Sequence, residues 1–129
     1  MINDVNIPHV LVEMKAAFAR YEEALVNNDV KVLDEMFWSS KHTIRYGANE
    51  NLYGFAAIQA FRSARSPLGL KRMLKNTVIT TYGEDFATAN TEFVREGNPG
   101  KLGRQSQTWV RSSSGWRVVS AHVSLINVA

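Results

Sequence analysis

Not one cysteine occurs among the 129 residues. Disulfides, thiolate metal centres and cysteine nucleophiles are thereby excluded, and the composition suits a reducing cytoplasm. Long apolar runs are missing too: no stretch approaches the ~20 apolar residues of a membrane helix. The opening MINDVNIPHV carries acid where a signal peptide needs base. The expectation is a cytoplasmic chain with no membrane contact. Basic residues outnumber acidic ones, 15 to 12, yet never gather into a run. Nucleic acid finds no basic stripe to follow. Nine of the fifteen are arginines. Scattered arginines fit small anions better, because the rigid guanidinium fork matches a carboxylate.

The common catalytic signatures are also absent. There is no phosphate-binding GxxxxGK loop, no GxGxxG, no HExxH, no GxSxG and no calcium-binding loop. His9, His42 and His122 lie far apart, without the helical spacing of metal ligands. No metal site is expected. Phosphoryl transfer, dinucleotide chemistry and zinc hydrolysis have nothing to rest on.

What is present has length for one domain, residues 1–129, with a substantial core. Val10, Met14, Phe18, Tyr21 and Leu25 recur at steps of three and four, which predicts a helix over 8–27. Asn27-Asn28 breaks it, and Asp29 caps a second, short helix that carries Leu33, Met36 and Phe37 inward. Residues 42–46 and 51–53 read as short strands. Gly54 opens a third helix, FAAIQAFRSAR, which Ser66-Pro67 ends. From residue 70 the period changes to two. LKNTVITTYG, DFATANTEFVRE, KLGRQSQTWVRS and GWRVVSAHVSLI are long strands separated by turn signals. Short connections imply an antiparallel meander. Helices followed by such a sheet give an α+β fold, three helices on a curved, mainly antiparallel sheet, cone-shaped with an open mouth.

Several residues invite two readings each. Tyr21 lies on the apolar stripe, as a core tyrosine or as one whose hydroxyl reaches a cavity. Arg45 alternates with Ile44 and Tyr46, which points it to solvent if those two are core. In a short strand covered on both faces it would be buried, and would then need an acidic partner or a ligand. Arg62 and Arg65 read first as a solvated helix surface, with Arg65 near the helix C-terminus where a cation is favoured. Gln105, Gln107 and Trp109 share one strand face. Trp116, Val118, Ser120, His122 and Ser124 share another. Either face suits a polar pocket wall or a solvated exterior. His122 is a structural histidine or a base and donor. Glu92 is an outward carboxylate or a counterion to an arginine.

The segments FARYEEALVNND, LDEMFW, TIRYGANENLYG, IQAFRSAR, NTVITTYGEDFATANTEF and GRQSQTWVR resemble the oxalurate-catabolism, HpxZ-like family, whose relatives include the AtzH-like decarboxylating amidohydrolases. The element order and the closing GWRVVSAHVS resemble the nuclear transport factor 2-like, SnoaL-like, cystatin-like superfamily. The likeness runs from about Ile7 to Leu125. It implies a small homodimeric enzyme of ureide or amide catabolism that decarboxylates or hydrolyses a small carboxylated urea- or amide-type anion without a cofactor. It implies Tyr21 and Arg45 as the central catalytic pair. His122, Gln107, Trp109, Tyr46 and Arg65 are placed with them as substrate-binding residues. Arg45 should be mostly buried, near the Tyr21 hydroxyl, beside a space for a carboxylate. A second reading is a non-catalytic ligand-binding or accessory subunit of a pathway amidohydrolase. A third, a ketosteroid-isomerase-like base enzyme, needs a pocket carboxylate that the apolar faces do not offer.

Overall fold

The computed structural model describes residues 4–128. The apolar stripe becomes helix α1 (Pro8–Val26), whose Val10, Met14, Phe18, Tyr21 and Leu25 are all buried. Proline fits its first turn because no intrahelical donor is needed there. Asn28 takes a positive φ of 51°, turning the chain into α2 (Val30–Met36). The Asp29 carboxylate accepts from the Val32 amide at 3.2 Å, satisfying one free N–H of that short helix. Strands β1 (Ile44–Tyr46) and β2 (Asn51–Tyr53) form a small hairpin before α3 (Phe55–Ala64). Four long strands follow: β3 (Met73–Tyr82), β4 (Phe86–Val94), β5 (Lys101–Ser112) and β6 (Gly115–Asn127).

These strands make one six-stranded sheet in the order β2-β1-β6-β5-β4-β3. Only β1 and β6 run parallel; every other pair is antiparallel. The three helices cover one face, which this register makes the inner one. Its largest buried side chains include Trp109, Phe37, Phe93 and Met14. Each large apolar chain taken from water contributes roughly 1.5–3 kcal/mol. No helix among the described residues is long and apolar enough to cross a membrane.

One expectation from strict alternation fails on β6. The pairing steps from Thr108–Ser120 to Trp109–Val118, leaving Val119 as an extra residue. Such a bulge reverses the faces beyond it. Trp116 and Val118 are buried on the inner face, and so is Ala121, whereas Ser120 and His122 are exposed on the other side. The five residues expected to share a face are therefore split between two.

The inner face is lined with small residues where others must come close. Ala87, Ala89 and Ala121 are buried there. Gly103 matters most: a Cβ at that position would lie 2.1 Å from the Phe93 ring. Phe93 lies flat across β5 only because position 103 has no side chain. Gly103→Ala is expected to displace that ring and cost roughly 1–3 kcal/mol as overpacking. Thermal unfolding of the variant checks this, and an unchanged melting temperature would show that the ring moves freely.

Candidate functional site

A row of side chains crosses the inner face at the level of β1. Leu52 pairs with Arg45, Arg45 with Ala121, Ala121 with Gln107 and Gln107 with Ala89. Arg45 and Gln107 therefore stand two strands apart, about 10 Å, with a small alanine between them. The Arg45 side chain is 12% exposed. Its partner is an acid, as burial requires: Nη1 donates to Glu50 Oε1 at 2.8 Å. Glu50 comes from the turn of the β1–β2 hairpin. A Cβ on Gly47 would fall 1.7 Å from that carboxylate oxygen and 3.0 Å from Arg45 Nη1, so this glycine keeps the ion pair possible.

The two glutamines of β5 are oriented by what their oxygens accept. Trp109 Nε1 donates to Gln107 Oε1 at 3.0 Å. Arg72 Nη2 donates to Gln105 Oε1 at 3.0 Å. Each amide is thus turned so that its NH₂ group is spare, and neither Nε2 has a hydrogen-bond partner among the described residues. Tyr21, only 3% exposed, packs its ring edge-on against Trp109 and tilted against Phe37, both at 6.1 Å between centroids.

Arginines surround this group more closely than the sequence suggests. Spacing alone put Arg62 and Arg65 on a solvated surface, while the resemblance placed Arg65 with the substrate; Arg62 is 2% exposed and Arg65 half-buried. The third helix packs this side of itself against α2, and the Arg62 guanidinium lies 4.1 Å over the Phe37 ring. It donates to the Leu33 carbonyl at 3.2 Å and lies 3.7 Å from Asp34. Burial pulls Arg62 down to about 10, with Arg45 and Arg65 adding repulsion, so it stays charged at neutral pH. Burial also lowers Arg65, and Arg45 lowers it further. Arg65 Nε and Nη2 are buried with no partner among the described residues. The Tyr21 phenol sits in the field of Arg62, Arg65 and Arg95. The charges of Arg45 and of the Tyr21 phenol thus both act on the same two guanidinium groups, Arg62 and Arg65.

Arg72 and Arg95 complete the cluster, and neither stood out in the sequence. Arg72 is 2% exposed at its side chain and grips Glu22 with two bonds, Nε to Oε2 at 2.9 Å and Nη2 to Oε1 at 2.6 Å. Both guanidinium groups lie over the Phe93 ring, at 4.5 and 4.8 Å. Five arginines (45, 62, 65, 72 and 95) face three carboxylates (Asp34, Glu22 and Glu50), so two positive charges lack a counterpart here. The signal available was the position of Arg72, two residues before the inward Leu74, and of Glu22, beside Tyr21 on the edge of the α1 stripe. Glu22 and Glu50 are carboxylates of the kind a base enzyme needs, but each is committed to an arginine.

His122 and Tyr46 are not part of this group. They stand on the outer face, where Tyr46 meets His122 edge-on at 5.6 Å and its hydroxyl lies 3.0 Å from that of Tyr53. That hydrogen bond, with the neighbouring phenol's charge, raises the Tyr46 pKa. Glu92 accepts from Asn76 at 2.9 Å instead of balancing an arginine. The inner face therefore assembles Tyr21, Arg45, Arg65, Gln107 and Trp109, with Gln105 added. Its spare donors and surplus positive charge have the chemistry that recognises a small planar oxyanion.

The family model described as AtzH-like matches residues 3–129. A protein of unknown function from the DUF3225 family of Pectobacterium atrosepticum is 59% identical, with a TM-score of 0.95 and 98% of each chain covered. A cystatin-like fold protein from Burkholderia xenovorans is 46% identical, with a TM-score of 0.93 and again 98% of each chain covered. A nuclear transport factor 2-like superfamily protein from Salmonella enterica is 26% identical at a TM-score of 0.70, over 94% of this chain and 92% of that one. No curated protein matches.

Proposed function

The chain belongs to the AtzH-like family, and from that premise we propose that it is a small enzyme that decarboxylates or hydrolyses a carboxylated urea- or amide-type anion. One observation carries the reading: Arg65 buries two N–H donors with nothing to bond, and Gln107 on the inner face keeps a spare buried NH₂ group as well, none of them with a partner among the described residues. Buried donors are costly unless a ligand satisfies them. A carboxylate accepts from such a set, and a guanidinium binds it in two places at once. Arg45, held through Nη1 alone, keeps its other edge for the same anion.

The chemistry follows from the charges. In an N-carboxylated urea the C–N bond breaks, CO₂ departs, the bonding electron pair stays on nitrogen, and that nitrogen takes up a proton. Arg45 and Arg65 hold the carboxylate in line for cleavage. Tyr21 donates to the nitrogen as its charge grows, and its proton is replaced from solvent. The surrounding guanidinium groups, Arg62 among them deeply buried, stabilise that developing charge.

Release of CO₂ and ammonia from a panel of carboxylated ureas, biurets and oxalurate tests the reading directly. Wild type should turn over at least one of them. Arg65→Gln should weaken its binding by about 10–100-fold, the size expected for lost hydrogen bonds to a charged group. Tight binding of these anions with no turnover would favour an accessory, ligand-binding role. No binding to any of them would remove both.

A further inference from the structure

One recess among the described residues lies away from Arg45. It has a volume of about 790 Å³ and lies between residues 69–73, before and into β3, and residues 94–98, at the end of β4. Lys71, Arg72, Arg95 and Glu96 bring charge to its walls. Arg72 is immobilised by Glu22 and by the Phe93 ring. Arg95 lies over the same ring but has no such acid: its Nε is buried without a partner among the described residues. The Gln105 amide, nearly fully buried, is turned by its bond to Arg72, and its NH₂ group is left spare beside that guanidinium. Arg95 thus brings a donor with no acceptor to the wall of the recess, and Gln105 keeps a second one next to Arg72 of that same wall.

We infer that this recess is a second anion site, for a carboxylate group, read by Arg95 Nε and Gln105 Nε2 with Lys71 at its rim. The charge balance selects a singly charged oxyanion. Lys71, Arg72 and Arg95 stand against Glu22 and Glu96, three against two, so one negative charge brings neutrality. A doubly charged phosphate would overshoot that balance and meet Glu96. Burial and the nearby Arg72 both lower Arg95, and a bound carboxylate reverses that penalty. The site borders the cluster that holds Tyr21; its reading as the far end of a substrate rests on the proposed reaction, and its reading as a separate anion site does not. Its carboxylate has two sources: the far end of an extended substrate whose first carboxylate sits at Arg65, or a separate small carboxylate anion.

Side-chain amide and guanidinium NMR signals of the full chain, titrated with acetate and with straight-chain dicarboxylates from malonate to adipate, test this. Arg95 Hε and the Gln105 amide protons should shift on addition, and Arg95→Gln should remove the Gln105 shift while leaving that of Gln107. If the carboxylate is the far end of a substrate, one dicarboxylate should bind about tenfold tighter than acetate, an advantage Arg95→Gln abolishes. If it is a separate anion, acetate and the dicarboxylates should bind alike, and Arg95→Gln should weaken both about tenfold. Should Arg95→Gln unfold the chain, Lys71→Gln on the rim is read in its place, with a weaker but same-signed loss. Silence of Arg95 and Gln105 with every anion overturns the site, and it does so whether or not Gln107 responds. A response at Gln107 alone would leave the proposed reaction standing without this site.

Discussion

Arg72→Met should cost about 3–5 kcal/mol of stability, the penalty for leaving one member of a buried ion pair alone. Arg72 is 2% exposed and its partner Glu22 17%, so solvent screens the pair little. Methionine keeps much of the stem's volume and its contact with Phe93 but donates nothing. Glu22 would then be left without its two bonds, and Gln105 Oε1 would lose its donor as well. A domain of this kind holds only about 5–15 kcal/mol in total, so the melting temperature should fall by on the order of 10 °C or more. The double change Glu22→Leu with Arg72→Met should recover most of the loss, because apolar replacement of a whole buried pair is often near neutral. Thermal and urea unfolding of the two singles and the double close the cycle. Additive losses would mean that the pair is not coupled as its geometry requires.

That ion pair also marks the limit of what hydrophobic periodicity conveys. The helix stripe at Val10, Met14, Phe18, Tyr21 and Leu25 and all four long strands were legible, since each is a repeated burial decision spread over many residues. Arg62, Arg72 and Arg95 were not, and Arg65 was so only through the family resemblance, because an arginine reads as solvent-facing unless its partner is known. Those partners come from elsewhere in the chain: Glu22 lies 50 residues before Arg72, and Leu33 lies 29 before Arg62. Arg45 was legible only through its surrounding motif, since Ile44 and Tyr46 are half-buried on the far side of the same strand. His122 was misplaced for another reason. The extra residue Val119 costs nothing in composition and leaves the period-two pattern intact on either side, yet it reverses every side chain beyond it. Gln107 and Trp109, on the unbulged partner strand, kept the face that alternation assigned them.

Tyr21→Phe should lower kcat by about 10²–10⁴ on whichever carboxylated urea the wild type accepts, the usual contribution of a positioned proton donor. The change is clean for a structural reason. The ring makes the packing, edge-on to Trp109 and tilted to Phe37, and phenylalanine keeps both contacts. The melting temperature should therefore stay close to wild type. KM should move little, since Arg45, Arg65 and the Gln107 amide hold the carboxylate and none of them loses a partner. A loss confined to kcat separates a group that acts as charge develops from one that merely binds. Single-turnover CO₂ release is the deciding measurement, because it isolates the chemical step from product release. A wild-type rate in Tyr21→Phe would leave the arginines and amides as the source of catalysis and remove the proton from the phenol. A rise in KM with kcat unchanged would recast Tyr21 as one more donor to the bound anion.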